Sequence, residues 1–157
     1  MKLNFPIEIS MEDFVKKGKF DCIQIGQSKE WIINNFPDPD YGYSMSYKDT
    51  IWCYGSFQFF FAKNQLASIF CENLALDVPE SLKIDKWIFN LPVTLLKFIE
   101  ILNNDYVDFN LEHHNPKHGL SSRVTITIAS SKVKLDFYDV TGSERDCNSL
   151  RFHAISL

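Results

Sequence analysis

Residues 25–72 read IGQSKEWIINNFPDPDYGYSMSYKDTIWCYGSFQFFFAKNQLASIFCE, and the fold class turns on how this stretch divides. Gly26 breaks the chain, and Ser28 follows as a helix N-cap, because its hydroxyl can accept from a free amide of the first turn. Glu30 suits the positive end of that helix. Ile32 and Phe36 are i,i+4 neighbours, with Ile33 beside them. Pro37 and Pro39 end the helix near Asn35, since proline drives the preceding residue out of the α region. Residues 37–49, PDPDYGYSMSYKD, are then expected to form a loop. Residues 50–54 predict a strand and Gly55-Ser56 a turn. Residues 57–61 predict a second strand with Phe57, Phe59 and Phe61 on one face and Phe60 on the other, a strand suited to burial on both sides. Lys63-Asn64 is a hairpin turn, Asn tolerating positive φ. Residues 66–72 return as a third strand. The unit is one helix followed by three antiparallel strands.

Outward from this stretch the same elements recur. Ser10 caps a helix over residues 11–17, with Glu12 and Asp13 in its first turn and Lys16 and Lys17 in its last. Met11, Phe14 and Val15 form its apolar stripe, and Gly18 follows as the C′ residue. Residues 20–25 predict a short strand or an extended run. Residues 73–83 are a connector carrying Pro79, and residues 84–89 a short extended piece. Pro92 opens a helix on which Leu95, Phe98, Ile99 and Leu102 follow the i, i+3, i+4, i+7 rule. Leu96 and Ile101 widen its stripe to more than half the surface, and Asn103-Asn104 ends it. Three alternating strands come next. Val107, Phe109 and Leu111 share a face, then Val124, Ile126 and Ile128, then Val133, Leu135 and Phe137. A two-residue turn at Ser130-Ser131 sets Thr127 opposite Lys134, Thr125 opposite Asp136 and Arg123 opposite Tyr138. Residues 151–157 add one more strand. The fold class is α+β: antiparallel sheet packed on helices, in two loosely similar helix-then-three-strand halves within a single globular domain spanning residues 1–157.

Composition narrows the function classes. The 157 residues carry 45% hydrophobic and 23% charged side chains, normal for a globular chain of ordinary core size. Aromatics reach 15%, with 14 Phe, which suits aromatic-rich sheets. The net charge of −4 and the lack of a Lys/Arg cluster argue against direct nucleic-acid binding. The first residues have no apolar run of the kind that makes a secretory signal, and no window is long and apolar enough to span a membrane. Cys22, Cys53, Cys71 and Cys147 include no CxxC pair, so reduced thiols and a cytoplasmic location are expected.

The residues that invite a binding role lie in the expected loop: Asp38, Asp40, Tyr41, Tyr43, Tyr47 and Asp49. Tyrosine is a frequent interface anchor, prolines pre-order a loop, and acids speed encounter with a basic partner. A solvated connection with its rings folded back on the sheet explains the same residues. A second polar set lies on the outer face of the last strands: Tyr106, Asp108, Asn110, Glu112, Arg123, Thr125, Lys134, Asp136 and Tyr138. Cross-strand pairs on a wet sheet account for these. His113, His114 and His118 sit together, but no spacing closes a four-ligand metal site, and an exposed turn is expected. Acid pairs Asp38/Asp40 and Asp136/Asp139 have no nucleophile, oxyanion hole or glycine-rich phosphate loop beside them. No catalytic residue, metal or cofactor is assigned.

One resemblance adds a function. The order Ile25-Gly26-x-Ser28-x-Glu30, Phe36-Pro37-Asp38, Trp52-x-Tyr54-Gly55 and Phe61-x-x-Asn64-x-Leu66-x-x-Ile69 resembles the helix-plus-hairpin unit of small bacterial lipoprotein domains and of the β-lactamase-inhibitor-protein fold. It is also similar to cytoplasmic immunity proteins of polymorphic-toxin and contact-dependent growth-inhibition loci. The lipoprotein relatives need an export signal and a lipidation cysteine near the start, which these first residues lack. The resemblance implies a non-enzymatic protein that binds one cognate toxin domain and occludes its active site or substrate surface, a basic nuclease suiting the acidic loop best. The alternatives are a small enzyme with a pocket near Trp52 and Tyr54, and a structural adaptor.

Overall fold

The computed structural model describes residues 6–72, 74, 80–114, 122–139 and 150–157. The chain runs β1 (Ile7–Ser10), α1 (Met11–Lys17), α2 (Lys29–Asn35), β2 (Tyr41–Ser44), β3 (Asp49–Tyr54), β4 (Phe57–Ala62), β5 (Gln65–Glu72), β6 (Leu82–Asp85), a 3-10 turn (Trp87–Asn90), α3 (Leu95–Asn104), β7 (Phe109–His114), β8 (Arg123–Ile128), β9 (Lys134–Tyr138) and β10 (Arg151–Ser156). Eight of the strands form one antiparallel sheet in the order β2-β3-β4-β5-β10-β9-β8-β7, and β1 and β6 pair in parallel. The architecture is α+β.

Each helix begins as its sequence dictates. The hydroxyls of Ser10, Ser28 and Thr94 accept from Asp13, Trp31 and Lys97 N–H respectively. Gly18 closes α1 in the left-handed region at φ +67°. α3 starts at Leu95 behind the Thr94 cap rather than at Pro92, because threonine offers the acceptor that proline lacks. It buries Leu95, Phe98 and Leu102 but leaves Leu96 more than half exposed, so its buried stripe is narrower than its apolar composition suggests.

The helix-facing side of the sheet carries the fully buried phenylalanines of its strands. Phe57, Phe59 and Phe61 are fully buried in an alternating pattern, while Phe60 on the other face is only partly buried. Phe20 joins the layers, meeting Phe14 of α1 at 5.5 Å and Phe57 of β4 at 4.9 Å between ring centres. It lies in a turn, with Asp21 at φ +55°, rather than in the expected extended run. Phe36 packs on Tyr54 and Phe59, and Phe98 of α3 packs on Phe137 of β9.

Two further departures are local. Residues 84–89 split between the end of β6 and the 3-10 turn. β7 begins at Phe109, not at residue 106, because Tyr106 takes φ +56° and the Val107 N–H closes back on the Leu102 carbonyl. The β8–β9 register is as expected from alternation, with Thr127, Thr125 and Arg123 opposite Lys134, Asp136 and Tyr138. The turn is longer than two residues: Ile128 N–H donates to the Val133 carbonyl, and Lys132 at φ +65° turns the chain.

The segment before each of α2 and α3 is tied to a central strand. Ser28 bridges Gln65 at the start of β5, flanked by Gly26 N–H to Leu66 O at 2.7 Å and Lys29 N–H to Asn64 O at 2.8 Å. Thr94 bridges Arg151 at the start of β10, flanked by Leu95 N–H to Leu150 O and Phe152 N–H to Val93 O. Two residues beyond each bridge the central strand bulges, at Ala67 in β5 and at His153 in β10. The Ala67 bulge lets Leu66 and Ile69 both face the core, although they are three residues apart.

Candidate functional site

The tyrosine-rich segment expected to be a loop contains a strand. β2 pairs with β3, setting Tyr41 opposite Cys53, Gly42 opposite Trp52, Tyr43 opposite Ile51 and Ser44 opposite Thr50. Four residues with a glycine among them give little propensity, and Pro37 and Pro39 mark the stretch as irregular; the ladder to β3 overrides both. Gly42 is required by close approach. A Cβ there would stand 2.7 Å from the Trp52 ring and 3.2 Å from the Ile51 carbonyl oxygen.

Every residue of β2 is exposed. Tyr41 and Tyr43 lie on the face of the sheet away from the helices, 58% and 48% accessible. Register continues that face through Ile51, Phe60 and Ser68 beside Tyr43, and through Cys53, Gln58 and Phe70 beside Tyr41. Met45 and Tyr47 occupy the turn, and Tyr47 is 97% accessible. The acids have architectural partners. Asp49 accepts from the Ser46 hydroxyl at 2.9 Å, while its own N–H donates to that hydroxyl, closing the β2–β3 turn. Asp40 accepts from Gly55 N–H at 2.6 Å and pins the other end of the hairpin to the β3–β4 turn, where Gly55 takes φ +56°. Asp38 is exposed just before it. The six residues singled out from sequence therefore fall on one hairpin and its base, with Tyr41, Tyr43 and Tyr47 presented and Asp40 and Asp49 shaping it.

Trp52 and Tyr54 do not converge on a deep pocket. Both face the helices. Tyr54 is fully buried and its hydroxyl donates to the Pro37 carbonyl at 2.9 Å. Burial first, then the Asp38 and Asp40 charges, hold that phenol in its neutral form well above its ordinary range. The Trp52 ring stacks edge-on against Phe61, with the Lys29 ammonium 5.1 Å from its centre. It floors a shallow cleft of about 380 Å³ between the start of α2 and β2, bordered by Lys29, Pro39 and Gly42.

The other half of the open face is polar. Arg123 donates to both oxygens of Asp136, Thr125 donates to Asp136 at 2.6 Å, and His114 Nε2 lies 3.1 Å from the Thr125 hydroxyl. Because Thr125 gives its proton to Asp136, His114 must be the donor in that contact. His113 and His114 belong to β7 rather than to an exposed turn, and His118 lies outside the described residues. Among the described residues no group of histidines, cysteines and acids is placed to hold a metal ion. A larger cleft of about 560 Å³ lies between β10 and the segment leading into α3, where His153 Nε2 meets Glu72 at 2.9 Å. Sequence reasoning missed this cleft and the apolar contribution of Met45, Ile51 and Phe70. The first depends on a bulge and the second on the register of a strand read as loop.

Comparison with protein-family models, with curated proteins and with solved structures finds no match to this chain. No helix of the described residues is long and apolar enough to cross a membrane.

Proposed function

We propose that this chain is a cytoplasmic, non-enzymatic immunity protein, one globular domain that binds a cognate toxin domain, a basic nuclease by preference, and occludes its working surface. The observation that carries the reading is the exposed β2–β3 hairpin, on which Tyr41, Tyr43 and Tyr47 stand out from an ordered frame. Aromatic side chains with few rotatable bonds on a pre-shaped support lose little entropy on docking. Asp38 at the hairpin base supplies acidity on its approach.

The same reading takes the fold as two related halves, each a helix followed by a meander. Its support is the matched pair of tethers: a capping residue bridged to the start of the central strand, and a bulge two residues on, in both β5 and β10. The test of function is co-purification with the C-terminal toxin domain encoded beside it, together with protection of cells that express that domain. A stable complex and restored growth are expected. Absence of both removes the immunity reading.

A further inference from the structure

Among the described residues β2 and β7 are the outermost strands of the sheet. They are protected differently. β7 carries the Glu112 charge beside the polar rings of His113 and His114, the kind of cover that keeps an edge from pairing. β2 is Tyr41-Gly42-Tyr43-Ser44, exposed throughout and without a charge. Its outward hydrogen-bonding groups follow from the ladder. Met45 N–H donates to the Asp49 carbonyl, so alternate residues 43 and 41 also turn their backbone groups toward β3. Gly42 and Ser44 then turn theirs away from the sheet.

We propose that β2 is a self-pairing edge, at which two copies of this chain join antiparallel about a two-fold axis through Tyr43. The proposal does not depend on toxin binding. Centring on Tyr43 is the one two-fold register in which both outward-facing residues of each β2 meet outward-facing partners within β2, Gly42 opposite the second copy's Ser44 and the reverse. The side chains agree with it. Tyr43 meets its own copy, and Tyr41 meets the second copy's Met45, all on the open face where Ile51 and Phe60 already give apolar flanks. The same direction runs the Asp38 end of one strand toward the Lys48 end of the other, so opposite charges approach. An isologous pairing of this kind closes on itself and leaves no new edge at β2.

Sedimentation velocity on the full chain from about 1 to about 100 µM tests this. A concentration-dependent dimer is expected. Ser44→Pro removes an outward N–H without touching the β2–β3 ladder, a position where an edge strand tolerates proline. It is expected to weaken the dimer at least about tenfold. Tyr43→Lys, which sets like charges together at the axis, is expected to do the same with far-UV circular dichroism unchanged. In a Cys22→Ser, Cys147→Ser background, Tyr43→Cys is expected to cross-link on oxidation, since directly opposed residues of such a pair approach within disulfide reach. Tyr47→Cys, set away from the axis, is not. A wild-type monomer across the whole range, a dimer untouched by Ser44→Pro and Tyr43→Lys, or equal cross-linking at both positions would overturn the proposal.

Discussion

At Gly42 a hydrogen atom decides whether the hairpin lies flat. The Trp52 indole occupies the space a side chain would need, and it is held there by Phe61 and Lys29. Gly42→Ala is expected to cost about 1–3 kcal/mol in urea unfolding, the usual price of forcing extra volume into a packed site. Four tightly held protons make a second residue-scale prediction. Partial burial, then Asp21, push the Cys22 thiol up to about 11, and burial pushes Cys71 to about 11 although its contact with the Ser56 hydroxyl works the other way. Tyr54 shifts in the same direction. Lys16 is also raised: its burial works against the charge, and the Asp105 and Glu12 carboxylates outweigh it. For all four groups the folded chain binds the proton more tightly than the unfolded chain does. The contribution of the two thiols is fully present below their ordinary value of 9.0 and is lost as pH climbs toward 11, while those of Tyr54 and Lys16 begin to fall only above 10.0 and 10.5. The thermal midpoint should therefore hold level up to about pH 9 and fall steadily above it, which a calorimetric pH series reads directly.

At the scale of elements, α1 is fastened by a turn more than a hundred residues away. The Ser131 hydroxyl donates to the Val15 carbonyl at 2.6 Å in a buried position, and Ser130 donates to the Lys16 carbonyl at 2.8 Å where water can reach. Ser131→Ala should cost about 1–3 kcal/mol, because a buried carbonyl loses its donor, while Ser130→Ala should cost less than about 1 kcal/mol. Neither role is visible in the chain as a string, where the two serines read only as a turn. The elements that were legible are those whose signals are local. Ser10 and Ser28 announced their helices, alternation set the β8–β9 register, and Lys63-Asn64 made its hairpin with both residues at positive φ. The strands not legible in the sequence, β1 and β2, and β6, legible only at its end, are four residues each, and only their partners define them. The candidate tyrosines were therefore visible by type, but their shared face was not, because that face depends on a register with β3.

For the whole molecule, the sheet places its two central strands, β5 and β10, side by side and antiparallel, and sends a meander outward from each. The two outer edges then differ in character: an aromatic, uncharged one at β2 and a charged one at β7. Under the function proposed above, the aromatic hairpin at this end of the sheet is the docking surface. The most direct measurement is calorimetric titration of the toxin domain proposed as its partner into the wild-type chain and into a Tyr41→Ala, Tyr43→Ala, Tyr47→Ala variant whose fold is verified by circular dichroism. Binding to the wild type, weakened at least about a hundredfold in the variant, is the predicted result. Equal affinity for both chains would contradict the assignment of the hairpin as the docking surface, and no heat with either would contradict the partner.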